Sequence, residues 1–574
     1  MVLLLTISIL VGLMDGLGLA MFLPMLELVA DQDATATSEQ MGTLAFILDG
    51  LQWLGWKLDL TVVLFTMLFF FTLKGGAKWF ETYLGVVYQQ YFIRKIRIEN
   101  IDALTNYSYH AFVTADAGTI QNTLSGEVER VVQAYRNYSL MMQQLVMVVT
   151  YTTLAFMANP EFAILVAAGG MISNFLFSTL YKQTKRLSKQ LVTSNHAFQG
   201  LLIQQVAFFK YLKGTGSIQQ YARNLKERVH EIEDAVRKIG ILNSIMAGVR
   251  EPLMIGIVVV VILIQVKVFG GSLATIILSL LFFYRGLSSV MTLQNSYNTF
   301  LSFSGSLTNM TDFVADLRAH KAKTGNLKAD MSGQIILENL AFNYVGTDWI
   351  IHDINLSIHR NETLALVGKS GSGKTTLMNI LAGLLTPTKG RMLIDGVDSR
   401  KIHMPSFQRS IGYISQDPVI FDDTVFNNVT FWAKNTPENQ DRFQEALRKA
   451  SILDFVMELP EQENARLGNN GINLSGGQKQ RISIARELYK EVDLLFMDEA
   501  TSALDSETER AIQENIDALK GQYTILIIAH RLSTIKNADR VVVLNQGEIE
   551  HIGSYQELIE QSSSFKRMVE LQEL

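Results

Sequence analysis

The sequence predicts an α-helical membrane domain of six transmembrane helices with long cytosolic extensions, followed by an α/β P-loop nucleotide-binding domain. Three observations carry this. The first 300 residues or so hold several apolar runs about twenty residues long, and at ~1.5 Å of rise per residue each run crosses a ~30 Å hydrocarbon layer. The last 240 or so have the mixed character of a soluble α/β domain. Within that second part, a hydrophobic strand runs straight into the glycine-rich turn "GKSGSGKTT", which a helical pattern follows. At 574 residues the chain is also too long for one ordinary core.

Bulk composition narrows the function classes. A net charge of −5 gives no sign of a polyanion partner, so nucleic acid is not expected. The chain has no cysteine, which removes disulfides, zinc–thiolate sites and thiol catalysis and suits a reducing cytosol.

In chain order, apolar runs place spans at about 2–29, 60–92, 138–158, 160–182, 244–267 and 271–296 of a membrane domain covering 1–318. Residues 319–331 read as a linker and 332–574 as the second domain. The first run is too long for a secretory signal and lacks a basic leader and a small-residue cleavage site. It begins with no cytosolic lead-in, which leaves a native start upstream of Met1 open. Basic residues crowd 93–137, which starts "IRKIR", and 183–243. The 31–59 loop instead carries five acids against Lys57, so the basic segments are expected in the cytosol and this loop outside. The connections "ANPE" and "KVFGG" are short, so paired spans should run on as helices past the membrane. In the outer loop, "MGTLAFILDGLQWLGWKL" suits either an interfacial amphipathic helix or a packed cap over the first two spans.

The span at 60–92 carries Lys74, Lys78 and Glu81 at i, i+4 and i+7, one stripe of a helix, with Gly75 and Gly76 beside it for a close helix neighbour. Measured down from the outer boundary, Lys74 lies ~24 Å deep, Asp15 and Arg285 ~21 Å and Arg250 ~25 Å. Charges there cost roughly 2.5–3.5 kcal/mol each on insertion scales, so they need a partner, a cavity or headgroups. Three readings stand: an ion-pair set of Asp15 with Lys74 or Arg285, snorkelling to inner-leaflet phosphates, or a cationic cavity for an anionic head.

The second domain carries phosphate chemistry. Gly368, Lys369, Ser370, Gly371, Ser372 and Gly373 form a loop whose backbone N–H groups turn inward. Lys374 reaches β- and γ-phosphate oxygens, and Thr375, beside Thr376, offers a hydroxyl to magnesium. "DLLFMDE" ends a buried strand in Asp498 and Glu499, the first suited to magnesium and the second to polarising water. "LSGGQ", Leu474, Ser475, Gly476, Gly477 and Gln478, is a loop-to-helix junction that favours an anion.

Together these motifs resemble the nucleotide-binding domain of ATP-binding cassette (ABC) transporters over about 332–574. The resemblance implies that "LSGGQ" is the signature, Gln416 the Q-loop glutamine and a magnesium ligand, and Asp505 the D-loop aspartate. It makes His530 the switch histidine and Tyr344 the aromatic that stacks on adenine. Glu499, His530 and Gln416 are then the catalytic set, with ATP as substrate and Mg2+ held by Thr375, Gln416 and Asp498. The family often has an acid shortly before the signature. Asn469 in "LGNNG" departs from that. Ser475 and Gly477 would act in trans, so a dimer is implied, a homodimer being the simpler choice over a heterodimer.

Residues 110–131 and, around 205–216, "VAFFKYLKGTGS" resemble the intracellular coupling segments of ABC exporters. "GLMDGLGLAMFLPMLELV" and "FFYRGLSS" are similar to bacterial flippases of lipid-linked oligosaccharides and glycolipid exporters. That implies a lipid-like or glycolipid cargo taken from the inner leaflet, an integral protein of the bacterial inner membrane and a cytosolic cassette. Peptide or hydrophobic drug export, or a cassette-gated channel or sensor that does not pump, remain alternatives.

Overall fold

The computed structural model describes residues 2–30, 46–57, 59–158, 160–267, 273–329, 333–344, 346, 348–498, 510, 514, 516–529 and 535–573. The chain divides into two compact units, Met1–Tyr107 with Thr114–Lys321, and Ser108–Val113 with Ala322–Leu574. The short helix Tyr109–Thr114 thus groups largely with the second unit.

The N-terminal half is helical in order α1 (Val2–Ala20), α2 (Phe22–Ala30), α3 (Phe46–Trp53), α4 (Leu60–Thr105), α5 (Tyr109–Thr114) and α6 (Ala117–Asn122). It continues with α7 (Val128–Ala158), α8 (Pro160–Ala207), α9 (Phe209–Gly214), α10 (Ile218–Lys267), α11 (Leu273–Ser302) and α12 (Ser304–Ala319). α4, α8 and α10 are 46, 48 and 50 residues long. At ~1.5 Å each they reach about 70 Å, more than twice a hydrocarbon layer, as long extensions require.

Among the described residues, Val2–Leu26, Leu60–Thr105, Ala117–Met157 and Ile218–Ile264 are long and apolar enough to cross a membrane. The other two expected spans fall on α8 and α11, where many side chains and residues 268–272 lie outside the described set.

Two local expectations change, and one of two open alternatives is favoured. The run 2–29 is not one helix: it breaks at Met21, and Pro24 sits in the first turn of α2, where its missing N–H costs little. The outer helix α3 packs as a cap, with Leu48 and Leu51 buried among Leu19, Met21, Leu23 and Val63, while Trp53 stays 86% exposed. Residues 31–45 of that loop lie outside the described set. Close helix approach is made by α1 rather than at Gly75 and Gly76, where an added Cβ would meet nothing within 4 Å. A Cβ at Gly12 would touch Met147 and Thr150 of α7 at 3.1 Å, and one at Gly16 would overlap Leu154. These missing side chains draw α7 onto α1 and bury the residue between them, Asp15.

The second unit has two sheets. β1 (Gln334–Phe342), β2 (Ile351–His359), β4 (Lys389–Ile394) and β5 (Val397–Asp398) form an antiparallel sheet in the order β2-β1-β4-β5. β3 (Thr363–Gly368), β6 (Ile411–Ile414), β7 (Leu494–Asp498), β8 (Thr524–Ile528), β9 (Arg540–Asn545) and β10 (Glu548–Gly553) form the other, β10-β9-β3-β8-β7-β6. Its strands from β9 to β6 are parallel. β3 sends Ala365 and Val367 into one core and Leu364 and Leu366 into the other. Burial on both faces explains why these strands read as unbroken apolar runs.

The helices of this unit are α13 (Lys374–Leu381), α14 (Met404–Arg409), α15 (Val425–Thr430), α16 (Pro437–Lys449), α17 (Leu453–Glu458) and α18 (Gly476–Tyr489), before two at the C-terminus. Part of the segment read as a linker is folded onto this unit: Gly325 N donates to the Ile402 carbonyl at 2.8 Å and Leu327 N to that of Lys401 at 3.1 Å.

Candidate functional site

The P-loop is shaped by its glycines. Gly368, Gly371 and Gly373 have φ of +152°, +78° and +98°, a region that side chains disfavour. A Cβ on Gly368 would also strike the Leu544 carbonyl oxygen. The loop leaves the carboxyl end of the central strand β3 and enters α13. Helix dipole and backbone donors therefore point where a phosphate would lie. Lys374 begins the helix, buried, and its Nζ donates to the Gly368 and Lys369 carbonyls at 2.9 and 3.1 Å. Lys369, Ser370 and Thr375 are exposed, and Thr376 is buried. Among the described residues the buried Ser372 hydroxyl has no hydrogen-bond partner.

Parallel pairing lines up the other carriers. Asp498 ends β7 opposite Ile528 of β8, and Ile528 opposes Leu366 of β3. Gln416 lies two residues beyond the end of β6, exposed. Gly368, Asp498 and Gln416 thus share the carboxyl edge of one parallel sheet, the usual ligand edge of such folds. Glu499, Asp505 and His530 lie outside the described residues. The P-loop glycines, an exposed hydroxyl at Thr375 and the strand-end carboxylate Asp498 form a donor set that fits a magnesium–phosphate group.

Tyr413 was not singled out from the sequence. It sits on β6, and burial together with the nearby Asp498 charge pushes its hydroxyl up to about 12. It therefore stays a neutral proton donor beside the strand-end acid. Its signal was position alone, three residues before Gln416.

The signature segment is a helix cap. Ser475 Oγ accepts from Gln478 N at 3.3 Å and Gln478 Oε1 accepts from Ser475 N at 2.8 Å, a reciprocal capping box at the start of α18. Ser475 and Gly476 are exposed, while Leu474 and Gly477 are buried. Asn469 opens a single 3-10 turn ending at Gly471, and Lys479 donates to the Asn470 carbonyl at 2.7 Å.

The four membrane charges do not form one set. Asp15, 1% exposed, accepts from Lys74 at 2.6 Å and from the Tyr151 hydroxyl, and Arg285 Nε lies 3.8 Å from its second oxygen. Among the described residues Arg250 makes no contact with this cluster: it is buried against the Phe177 ring at 5.6 Å and reaches the Met291 carbonyl at 3.4 Å. Tyr151, missed in the sequence as one apolar-span residue among many, is the fourth member instead.

Comparison with known proteins gives two family matches: "ABC transporter transmembrane region" over residues 1–289 and "ABC transporter" over 351–502. The chain is 30% identical over 483 residues to the heterocyst differentiation ATP-binding protein HepA of Nostoc sp., covering 84% of this chain and 78% of that protein. It is 29% identical over 500 residues to the ATP-dependent lipid A-core flippase of Cupriavidus pinatubonensis, covering 85% and 83%. The putative multidrug export ATP-binding/permease protein YgaD of Bacillus subtilis is 29% identical over 531 residues, covering 90% of each. Among solved structures, a bacterial Atm1-family ABC exporter with ATP bound superposes with a TM-score of 0.78 at 22% identity, over 99% and 98% of the two chains.

Proposed function

Because this chain belongs to the ABC transporters, an exporter whose cassette hydrolyses ATP to power transport, we propose that it is a lipid flippase working as a dimer. The cargo is an anionic lipid-like or glycolipid molecule of the inner leaflet. One observation carries the cargo class. Arg285 keeps 44% of its side chain exposed, and its one ion-pair contact among the described residues is Asp15 at 3.8 Å. A guanidinium so placed presents a planar fork of donors to a phosphate or carboxylate. With Lys74 also on Asp15, the cluster holds two cations to one carboxylate, a surplus that suits an anion.

In the cassette, the P-loop N–H groups and Lys374 hold the phosphates, and Tyr344 supports the adenine. A bound magnesium ion, held by Thr375, Gln416 and Asp498, would offset phosphate charge. Glu499 orients the attacking water and His530 the γ-phosphate. Ser475 and Gly477 close over nucleotide held by the second subunit, an identical copy in the simplest form. ATP binding then draws the cassettes together and hydrolysis releases them, and the long helices carry that motion to the cargo site.

The test is ATPase activity in nanodiscs, each variant normalised to its own rate in phosphatidylcholine. The wild type should be stimulated as phosphatidylglycerol is added, and Arg285→Gln should lose that response. Equal responses of the two proteins reject the cargo class. Stimulation by hydrophobic cations or peptides instead favours drug or peptide export.

A further inference from the structure

α1 and α4 run antiparallel in a fixed register. Ser8 meets Glu81, Asp15 meets Lys74 and Gly18 meets Phe71, so equal steps along one helix match equal steps along the other. This seam buries two carboxylates seven residues apart on each helix, about 10 Å. They are not equivalent. Glu81 is 2% exposed, and its hydrogen-bond donors among the described residues are neighbours on the seam: Ser8 donates to one oxygen and Lys78 to the other at 2.7 Å. Asp15 has the same two-donor arrangement, Lys74 on Oδ1 and Tyr151 on Oδ2, and then a third group from α11, Arg285.

That third contact is of a different kind. At 3.8 Å, Arg285 Nε is attracted to Asp15 without a hydrogen bond. An incoming anion could engage the guanidinium donors without first breaking a hydrogen bond to Asp15. It would have to outweigh the Asp15 charge, which acts across a poorly screened interior.

We propose that Asp15 is a built-in counter-ion that competes with cargo for Arg285 and so sets how strongly an anionic head must bind before the site accepts it. The proposal rests on the cargo reading given above. Its shared ligand chemistry is an anionic phosphate or carboxylate, either a lipid headgroup or a small soluble ion. Lys74 tempers the competition by drawing the carboxylate to itself. Removing Lys74 alone should therefore strengthen the hold of Asp15 on Arg285, and removing Asp15 should release it.

The experiment measures the mole fraction of phosphatidylglycerol that half-saturates ATPase stimulation in nanodiscs. Asp15→Asn should lower it by about tenfold, Lys74→Met should raise it, and Asp15→Asn/Lys74→Met should fall below Lys74→Met alone. The double variant leaves no half-buried lysine without its carboxylate, so it keeps the comparison available if Asp15→Asn fails to fold. Asp15→Glu keeps the charge and should stay near wild type. Soluble glycerol 3-phosphate is the second arm. A matching shift with it assigns the site to free phosphate, and a shift confined to phosphatidylglycerol assigns it to a headgroup. If Arg285→Gln leaves the half-saturation unchanged, the cargo reading itself fails. If Arg285→Gln loses the stimulation but removing Asp15 lowers the half-saturation in neither background, the counter-ion proposal alone is overturned.

Discussion

His110 Nε2 lies 2.9 Å from the Tyr344 carbonyl oxygen, and the two rings are parallel within 8° at 6.0 Å between centroids. A carbonyl only accepts, so Nε2 carries the proton and donates. Both residues belong to one compact unit although 234 positions separate them, and Phe342 meets both rings edge-on. If Tyr344 supports adenine, His110 fixes the backbone it hangs from. His110→Ala should raise KM for ATP by about fivefold, the worth of one hydrogen bond, with kcat little changed. Steady-state ATPase kinetics read this directly, and an unchanged KM removes His110 from the nucleotide site.

Lys374 rests on two carbonyls of its own loop, Gly368 and Lys369. Those bonds hold the ammonium where phosphate oxygens would replace them. Lys374→Ala is expected to cut kcat by at least about 100-fold, the scale of losing one fixed charge-stabilising donor. It should also abolish the rise in melting temperature that ATP gives the wild type.

Gly118 and Gly200 give an asymmetric pair. A Cβ on Gly118 would meet the Cα and N of Gly200 at 2.6 and 2.7 Å, backbone atoms that no rotamer change can move, whereas a Cβ on Gly200 meets nothing within 4 Å. Gly118→Ala should therefore cost about 1–3 kcal/mol and lower the unfolding temperature. Gly200→Ala should leave it near wild type or slightly higher, because alanine suits a helix better. Equal effects at the two positions would contradict this packing of α6 on α8.

Asp423 accepts from the Asn427 amide, the Trp432 indole N–H at 2.7 Å and the Thr424 backbone, which together hold its carboxyl below the ordinary 3.8. A lowered folded value means that the stabilisation is present above pH 3.8 and is lost as pH falls through the folded value. As pH falls below 3.8 and through the folded value, Trp432 should lose its charged acceptor and change its emission. The wild-type minus Asp423→Ala difference spectrum should then shrink with acid. A difference that does not vary with pH would show that this contact does not titrate.

Legibility followed distance along the chain. The P-loop could be read because glycine, lysine and hydroxyl positions are set by one continuous turn after β3. The signature was likewise readable, since Ser475 and Gln478 cap the same helix start. Helix lengths followed from unbroken patterns. The break at Met21 was hidden because Pro24 tolerates a first turn, so the apolar run gave no other stop signal. Lys74, Lys78 and Glu81 were seen as a stripe, but burial of Glu81 required Ser8 from another helix.

Local order of residues therefore determined a membrane region joined to an ATP-hydrolysing cassette, because strand, loop and cap chemistry act between near neighbours. Tertiary structure alone decided which charges meet. Asp15 finds Lys74 through the register of α1 on α4, and finds Tyr151 because Gly12 and Gly16 admit α7. Arg250, at nearly the same expected depth as Arg285, turns instead to Phe177 and the α11 backbone. Depth in a bilayer follows from counting residues, whereas the facing of a helix depends on the shape of its neighbours.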